Sequence, residues 1–188
     1  MDPIIAWHTE HTYFHQLLGV LHKQVDLFHR GEQPNYELMQ DIIGYLREYS
    51  DRFHHPREDV AFACLAKRCP DLELALARLA QEHRVIAHAG ETLLGQLRAI
   101  VGGAIVPRGA LEVAAATYLV YYGNHIAKEE EDVLPRAAKV LTPEDWDTVR
   151  KAVQPGPDPL FGGDPHEHAR RWLAPLDKDA VLALARRT

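Results

Sequence analysis

The sequence predicts an all-α protein, a four-helix bundle with a short C-terminal helical extension. Three observations predict it. Apolar residues recur at steps of four and three over long stretches, the period of one helix face. Strand signals are nearly absent. Glycine and proline positions such as "RGEQPN", "CPD", "VGG" with "VPRG", and "PGPDP" divide the chain into four long pieces and a tail.

The first piece covers roughly 4–30 and ends at "RGEQPN". Along it Trp7, His11, Phe14, Leu18, Leu21, Val25 and Phe28 form an inward seam. The second piece, about 35–68, ends before "CPD". Its seam of Met39, Ile43, Leu46, Ser50 and His54 is less regular, and Pro56 disturbs it. The third piece, about 71–101, has Asp71 as a cap and ends at "VGG". Its seam is the most regular: Leu72, Leu76, Leu79, His83, Ile86, Gly90, Leu93, Leu97 and Ile100. The fourth piece follows "VPRG" and runs over about 109–140, with Leu111, Ala115, Tyr118, Tyr122, His125 and Glu129 in its seam.

Beyond it, Thr142, Pro143, Glu144 and Asp145 start a short helix over about 143–153. "PGPDPLFGGDP" is then a loop, followed by weaker helical stretches near 166–173 and 178–187. The division is therefore 1–154, the bundle, and 155–188, a Pro/Gly-rich loop and helical tail. Trp172, Leu173, Leu176, Val181, Leu182 and Leu184 give that tail an apolar side for docking on its own bundle or on a partner copy, which allows a homodimer.

Bulk properties narrow the function. The chain has 188 residues, 46% hydrophobic and 26% charged, as in an ordinary soluble domain. A net charge of −6 argues against nucleic acid or an anionic membrane as the partner. The start shows no basic n-region with a long apolar stretch, and the longest apolar run, "VAAATYLVYY", is too short to span a bilayer. Cys64 and Cys69 fit neither a redox pair nor a zinc knuckle, so a reducing, cytoplasmic location is expected. There is no Gly-rich phosphate loop and no nucleophile elbow. The unusual feature is histidine, with 12 in the chain.

Four of them take seam positions, one per long helix: His11, His54, His83 and His125. Two helices add a carboxylate one turn on, Glu58 after His54 and Glu129 after His125. The arrangement repeats. His83 follows His11 by 72 residues, His125 follows His54 by 71, and Glu129 follows Glu58 by 71. Two helix-pair halves of equal length place these six residues around one pseudo-twofold axis. Four imidazoles and two carboxylates inside a bundle make a two-metal site, suited to iron, zinc, manganese or copper. A buried carboxylate needs such a partner. A lone seam histidine is ordinarily a core residue bonded to a carbonyl; six donors on inward faces are not covered by that explanation.

The other histidines are placed elsewhere. His22 and His29 belong to a polar boundary of the first helix, while His8 and His15, each one turn from His11, are candidates to support it. His55 pairs with Asp59 at the spacing of His54 with Glu58, but a regular helix turns it about 100° away, so His54 is preferred. His88 points away, and His166 and His168 lie in the tail. Glu130, Glu131 and Asp132 fall off the stripe and are expected to form a solvated face.

"EHTYFHQLL", "RFHHPREDVAF", "EHRVIAHAGETLL" and "HIAKEEEDVLP" resemble, in order, the four helix motifs of the hemerythrin-like, or HHE cation-binding, domain family. The resemblance covers about residues 7–140. It implies an antiparallel up-down-up-down bundle around a carboxylate-bridged pair of iron ions. The implied ligands are His11, His54, Glu58, His83, His125 and Glu129, with Glu58 and Glu129 bridging. Oxygen-carrying hemerythrins have a further histidine one turn after the third-helix ligand; here that position is Ala87. Solvent, His55, or a tyrosine such as Tyr45, Tyr49 or Tyr122 is left to complete the site. The iron–sulfur repair proteins with this bundle carry a cysteine-bearing segment before it, whereas ten residues precede His11 here. The Glu-x-x-His pattern of ferritin-like sites is absent from the bundle region.

The expectation is a cytosolic non-haem di-iron protein that binds or senses a small diatomic ligand, oxygen or nitric oxide. One alternative is a di-iron enzyme in peroxide or nitric-oxide detoxification or iron–sulfur repair. Another is a bundle stapled by zinc, with manganese a further candidate metal, serving a structural or interaction role.

Overall fold

The computed structural model describes residues 2–154 and Asp158; the readings of the tail at 155–188 lie outside the described residues. Helix α1 (Pro3–His29) starts where the Asp2 carboxylate accepts the Ile4 N–H at 2.9 Å. Pro3 fills the first helical position, where a missing N–H costs nothing. The second rod is continuous but not uniform: α2 (Tyr36–Tyr45), a π-helical stretch (Leu46–His54) and α3 (His55–Arg68). Asn35 caps it by accepting from the Leu38 N–H. A 3-10 turn (Pro70–Leu72) leads into α4 (Glu73–Val101). The fourth rod repeats the pattern of the second, with α5 (Arg108–Lys128), a π-helical stretch (Glu129–Val133) and α6 (Leu134–Val140). Helix α7 (Pro143–Ala152) begins in a Thr142–Asp145 capping box. No strand occurs among the described residues.

Short connections force successive rods to run antiparallel, giving the up-down-up-down bundle. Gly31 and Gly103, at φ of 77° and 85°, stop α1 and α4 in the left-handed conformation that a side chain disfavours. The predicted seams face inward. Phe14, Leu21, Ile43, Leu46, Ile86, Leu93, Leu97, Tyr118 and Tyr122 are all at most 1% exposed. Each large apolar side chain buried this way contributes about 1.5–3 kcal/mol. At one end α7 closes the bundle: Trp146 meets Trp7 edge-on at 5.3 Å, over a cluster that includes Phe62, Leu65, Leu79, Leu134 and Val149. None of the described helices is long and apolar enough to cross a membrane.

The two π-helical stretches are the departure from regular geometry. The His55 N–H reaches back five residues to the Ser50 carbonyl, and the Leu134 N–H five residues to Glu129. Pro56 and Pro135 come immediately after. A proline has no N–H to donate, and its ring crowds the carbonyl four residues back, so the turn before it widens. The widening changes which side chains face the axis, and it falls where the inward histidines and carboxylates are.

Candidate metal centre

His11 projects from the middle of α1 and His83 from α4. His54 ends the first π-helical stretch with Glu58 one turn on; His125 lies near the end of α5 with Glu129 one turn on. None of the six is more than 5% exposed. The structure brings together every residue of the predicted set.

All four Nε2 atoms face the bundle axis. His54 Nε2 is 3.0 Å from Glu58 Oε1, and His125 Nε2 is 3.0 Å from Glu129 Oε1. His11 Nε2 is 2.9 Å from His54 Nε2, 3.3 Å from Glu58 Oε1 and 3.5 Å from Glu129 Oε2. His83 Nε2 is 3.5 Å from Glu58 Oε2 and 3.6 Å from Glu129 Oε1. Each carboxylate thus turns one oxygen to the His11–His54 side and the other to the His83–His125 side. Both oxygens of Glu58 and Glu129, and Nε2 of His83 and of His125, are buried without a hydrogen-bond partner. Leaving that many polar atoms unsatisfied costs about 1–3 kcal/mol each. A cation removes the cost. Donors about 2.1 Å from one ion and at right angles to each other lie about 3 Å apart, which matches the spacing found. The donor set fits a metal ion.

Each Nδ1 faces outward to a different carboxylate. His11 meets Glu130 at 2.7 Å, His54 meets Glu10 at 2.5 Å, His83 meets Asp59 at 2.8 Å and His125 meets Glu82 at 3.3 Å. Such a carboxylate fixes the ring's tautomer with the proton on Nδ1 and leaves the Nε2 lone pair for a metal. The carboxylates are themselves anchored. Glu10 also accepts from Arg57 at 2.6 Å and from Tyr49 at 3.0 Å, and Glu82 from Lys128 at 2.6 Å.

Electrostatics follow from this packing. Burial opposes charge on His11 and His83, yet the carboxylates on both sides win and hold them protonated up to about 10 and about 11. Burial also works against ionised Glu10, but His54 and Arg57 outweigh it and bring its carboxyl down to about 2. The bond from His11, aided by His8, brings Glu130 to about 2. Glu58 and Glu129 are pushed up by burial and pulled further down by the surrounding imidazoles. His55 goes the opposite way, held neutral by burial and by the neighbouring His83 charge.

Three sequence expectations need correction. Glu130 is not part of a solvated face with Glu131 and Asp132; one step past the inward Glu129, it meets His11 on the neighbouring rod, while those two stay exposed. Asp59 pairs with His83, not with His55. His55 does not point off the stripe: it is 3% exposed, because the widened turn brings both His54 and His55 inward. Its ring stacks on His83 at 4.2 Å, its Nε2 is 3.0 Å from Ser50 Oγ, and the Tyr122 hydroxyl donates to the same oxygen at 2.5 Å. His8 supports the site only at a remove, through Glu130 at 2.9 Å.

Sequence reasoning missed Glu10, Asp59, Glu82 and Glu130 as supports. A signal was there: each lies next to a predicted ligand in the chain, and the pairs repeat at the same offsets of 72 and 71 residues. A surface cleft of about 490 Å³, lined by Leu76, Leu79, Glu82, Lys128 and Arg136 among others, lies between α4 and the fourth rod and shares Glu82 and its anchor Lys128 with this constellation.

Comparison with curated proteins and with solved structures returns no match. The family model of the hemerythrin HHE cation-binding domain matches residues 2–137, which reaches into all four rods and takes in every residue of the constellation. This chain belongs to the hemerythrin HHE cation-binding domain family.

Proposed function

We propose that this chain holds a carboxylate-bridged pair of iron ions and binds or senses a small diatomic ligand, oxygen or nitric oxide. The observation that carries the proposal is the split of the two carboxylates. Glu58 offers Oε1 beside His11 and His54 and Oε2 beside His83; Glu129 offers Oε2 beside His11 and Oε1 beside His83 and His125. One ion would use one oxygen from each; two ions use all four. The residues that would hold the pair are His11, His54, Glu58, His83, His125 and Glu129, and both glutamates would be placed to bridge. Zinc or manganese satisfies the same donors, but an imidazole-rich carboxylate set also suits iron.

Reduced iron at such a site supplies electrons and a coordination position for a diatomic molecule. The chain's own residues do the rest. Glu10, Asp59, Glu82 and Glu130 orient the rings through Nδ1. Phe14, 4.9 Å from the His54 ring, and Phe62, 5.8 Å from His83, wall the cage with carbon and keep bulk water out. The polar groups in the wall, Ser50, Tyr122 and His55, bond to one another, so a small ligand that needs little polar recognition suits the site. A cytoplasmic location accords with the reduced thiols of Cys64 and Cys69.

The test is metal analysis of protein purified without added zinc, followed by anaerobic titration of the reduced form with nitric oxide. The expected result is about two iron ions per chain, changes in charge-transfer bands on ligand addition, and binding that stops at saturation. Continued consumption of nitric oxide or peroxide would make the protein an enzyme instead. Zinc in place of iron would make it a stapled bundle.

A further inference from the structure

The two halves of the cage are not equal, and His55 makes the difference. Two buried groups of donors have all their ligand atoms within 4.8 Å of one another: His11, His54 and Glu58 on one side, and His55, Glu58, His83 and His125 on the other. The symmetric sequence repeat has nothing to match His55, since the residue 71 positions on is Ile126. We infer that His55 is a seventh metal-ligating residue, giving the His83–His125 side a third nitrogen while the His11–His54 side keeps two. The inference rests on the metal-binding reading above and deepens it.

Three features of the geometry support it. The His55 ring lies parallel to His83, at an interplanar angle of 10°, and its edge faces His125 at 5.6 Å, so it belongs to that half. Its Nδ1 is 3.5 Å from the Asp51 carboxylate, as the Nδ1 of each of the other four rings faces a carboxylate, which leaves Nε2 as the nitrogen without the proton; in the metal-free protein its lone pair faces Ser50 Oγ at 3.0 Å, and a metal would compete with that hydroxyl for it. The chain also takes an uncommon conformation to bring it in. A regular helix would place His55 about 100° from His54; the π-helical stretch that ends at His54, just before Pro56, is what lets adjacent residues both face the axis. π-helical turns cluster at functional sites because they re-aim side chains in this way.

The competing role for His55 is in the wall, through its bond to Ser50 and thence to Tyr122. The two roles separate experimentally. His55→Gln keeps the bulk and a hydrogen-bonding partner for Ser50 but removes the imidazole; Ser50→Ala removes the wall bond but keeps the imidazole. Each full-length variant is loaded with ferrous iron, passed through a chelating column, and read by iron content and Mössbauer spectroscopy, with circular dichroism to verify the fold. The expected result is two unequal iron signals in the parent and in Ser50→Ala. In His55→Gln the iron retained should fall from about two to about one per chain, with loss of one signal. In His55→Gly, exogenous imidazole should restore it. If His55→Gln keeps both irons with the parent spectrum, or if Ser50→Ala loses iron as His55→Gln does, His55 is a wall residue and the inference fails. If the parent itself takes up no iron, it is the di-iron reading that fails, an outcome the parent measurement alone reveals.

Discussion

Replacing Glu10 by glutamine should destabilise the metal-free protein in a way that depends on pH. Glu10 accepts from His54 and Arg57 on one oxygen and from Tyr49 on the other, and its side chain is 14% exposed. Burial alone would raise its pKa; these partners lower it from 4.5 to about 2. A lowered folded-state value means stability that is present above the unfolded-state pKa and is lost as pH falls through the folded one. Each unit is worth about 1.4 kcal/mol, so the full contribution near neutral pH is about 3 kcal/mol. At pH 3 the unfolded chain is already mostly protonated there, and only about 1 kcal/mol remains. Glutamine keeps the shape and one acceptor, so Glu10→Gln should cost about 2–3 kcal/mol at pH 7, shrinking to about 1 kcal/mol or less at pH 3. Urea unfolding of chelator-stripped parent and variant at the two pH values measures both differences. Equal deficits at pH 7 and pH 3, or none at pH 7, would refute the reasoning.

The other predictions follow from the same structure. A Cβ on Gly90 would sit 2.9 Å from Cε2 of the buried Tyr118 ring, so Gly90→Ala should cost about 1–3 kcal/mol in thermal or urea unfolding, and Tyr118→Leu in the same chain should recover part of it. Glu130→Gln removes the support of His11 and should weaken metal affinity about 10–100-fold in chelator competition, whereas Glu131→Gln, exposed and one residue on, should leave it unchanged. His11 and His83 hold protons up to about 10 and about 11, so metal uptake at neutral pH must displace them. Zinc titration in weakly buffered solution should release about two protons per chain, and affinity should fall as pH is lowered; uptake without proton release would contradict the assignment.

The positions of the helices were legible because their period is regular. Leu76, Leu79, His83, Ile86, Gly90, Leu93 and Leu97 step along α4 as a straight helix requires, and all are buried. The six central donors were legible for the same reason, since His54 and His125 continue apolar stripes. What was not legible depends on breaks in the period. A constant 100° per residue turns His55 outward, yet the π-helical stretch before Pro56 brings it in. The prolines announce a disturbance without saying whether the helix will kink, break or widen. The partners of Glu10, Asp59 and Glu82 were hidden for another reason. Each lies on a different rod, and a helical period locates a side chain only relative to its own axis.

Those cross-rod contacts nevertheless obey one rule. Glu10 on α1 holds His54 of the second rod; Asp59 of that rod holds His83 on α4; Glu82 on α4 holds His125 of the fourth; Glu130 of the fourth holds His11 on α1. On the first and third rods the acid precedes the inward histidine by one residue. On the second and fourth it follows the inward glutamate by one. Seen down the bundle, a right-handed helix running toward the viewer turns counterclockwise with each residue, and one running away turns clockwise. A step back on an up-running rod and a step forward on a down-running rod are therefore rotations in the same sense, each about 100° from the axis-facing direction. All four acids are displaced to the same side, so each meets the next rod and the fourth meets the first. Rotating any single rod disturbs two of these contacts at once, the one it gives and the one it receives. The ring thus sets the facing of all four histidines together, which is what a site with donors on four separate helices requires if its rings are to be oriented before the metal arrives.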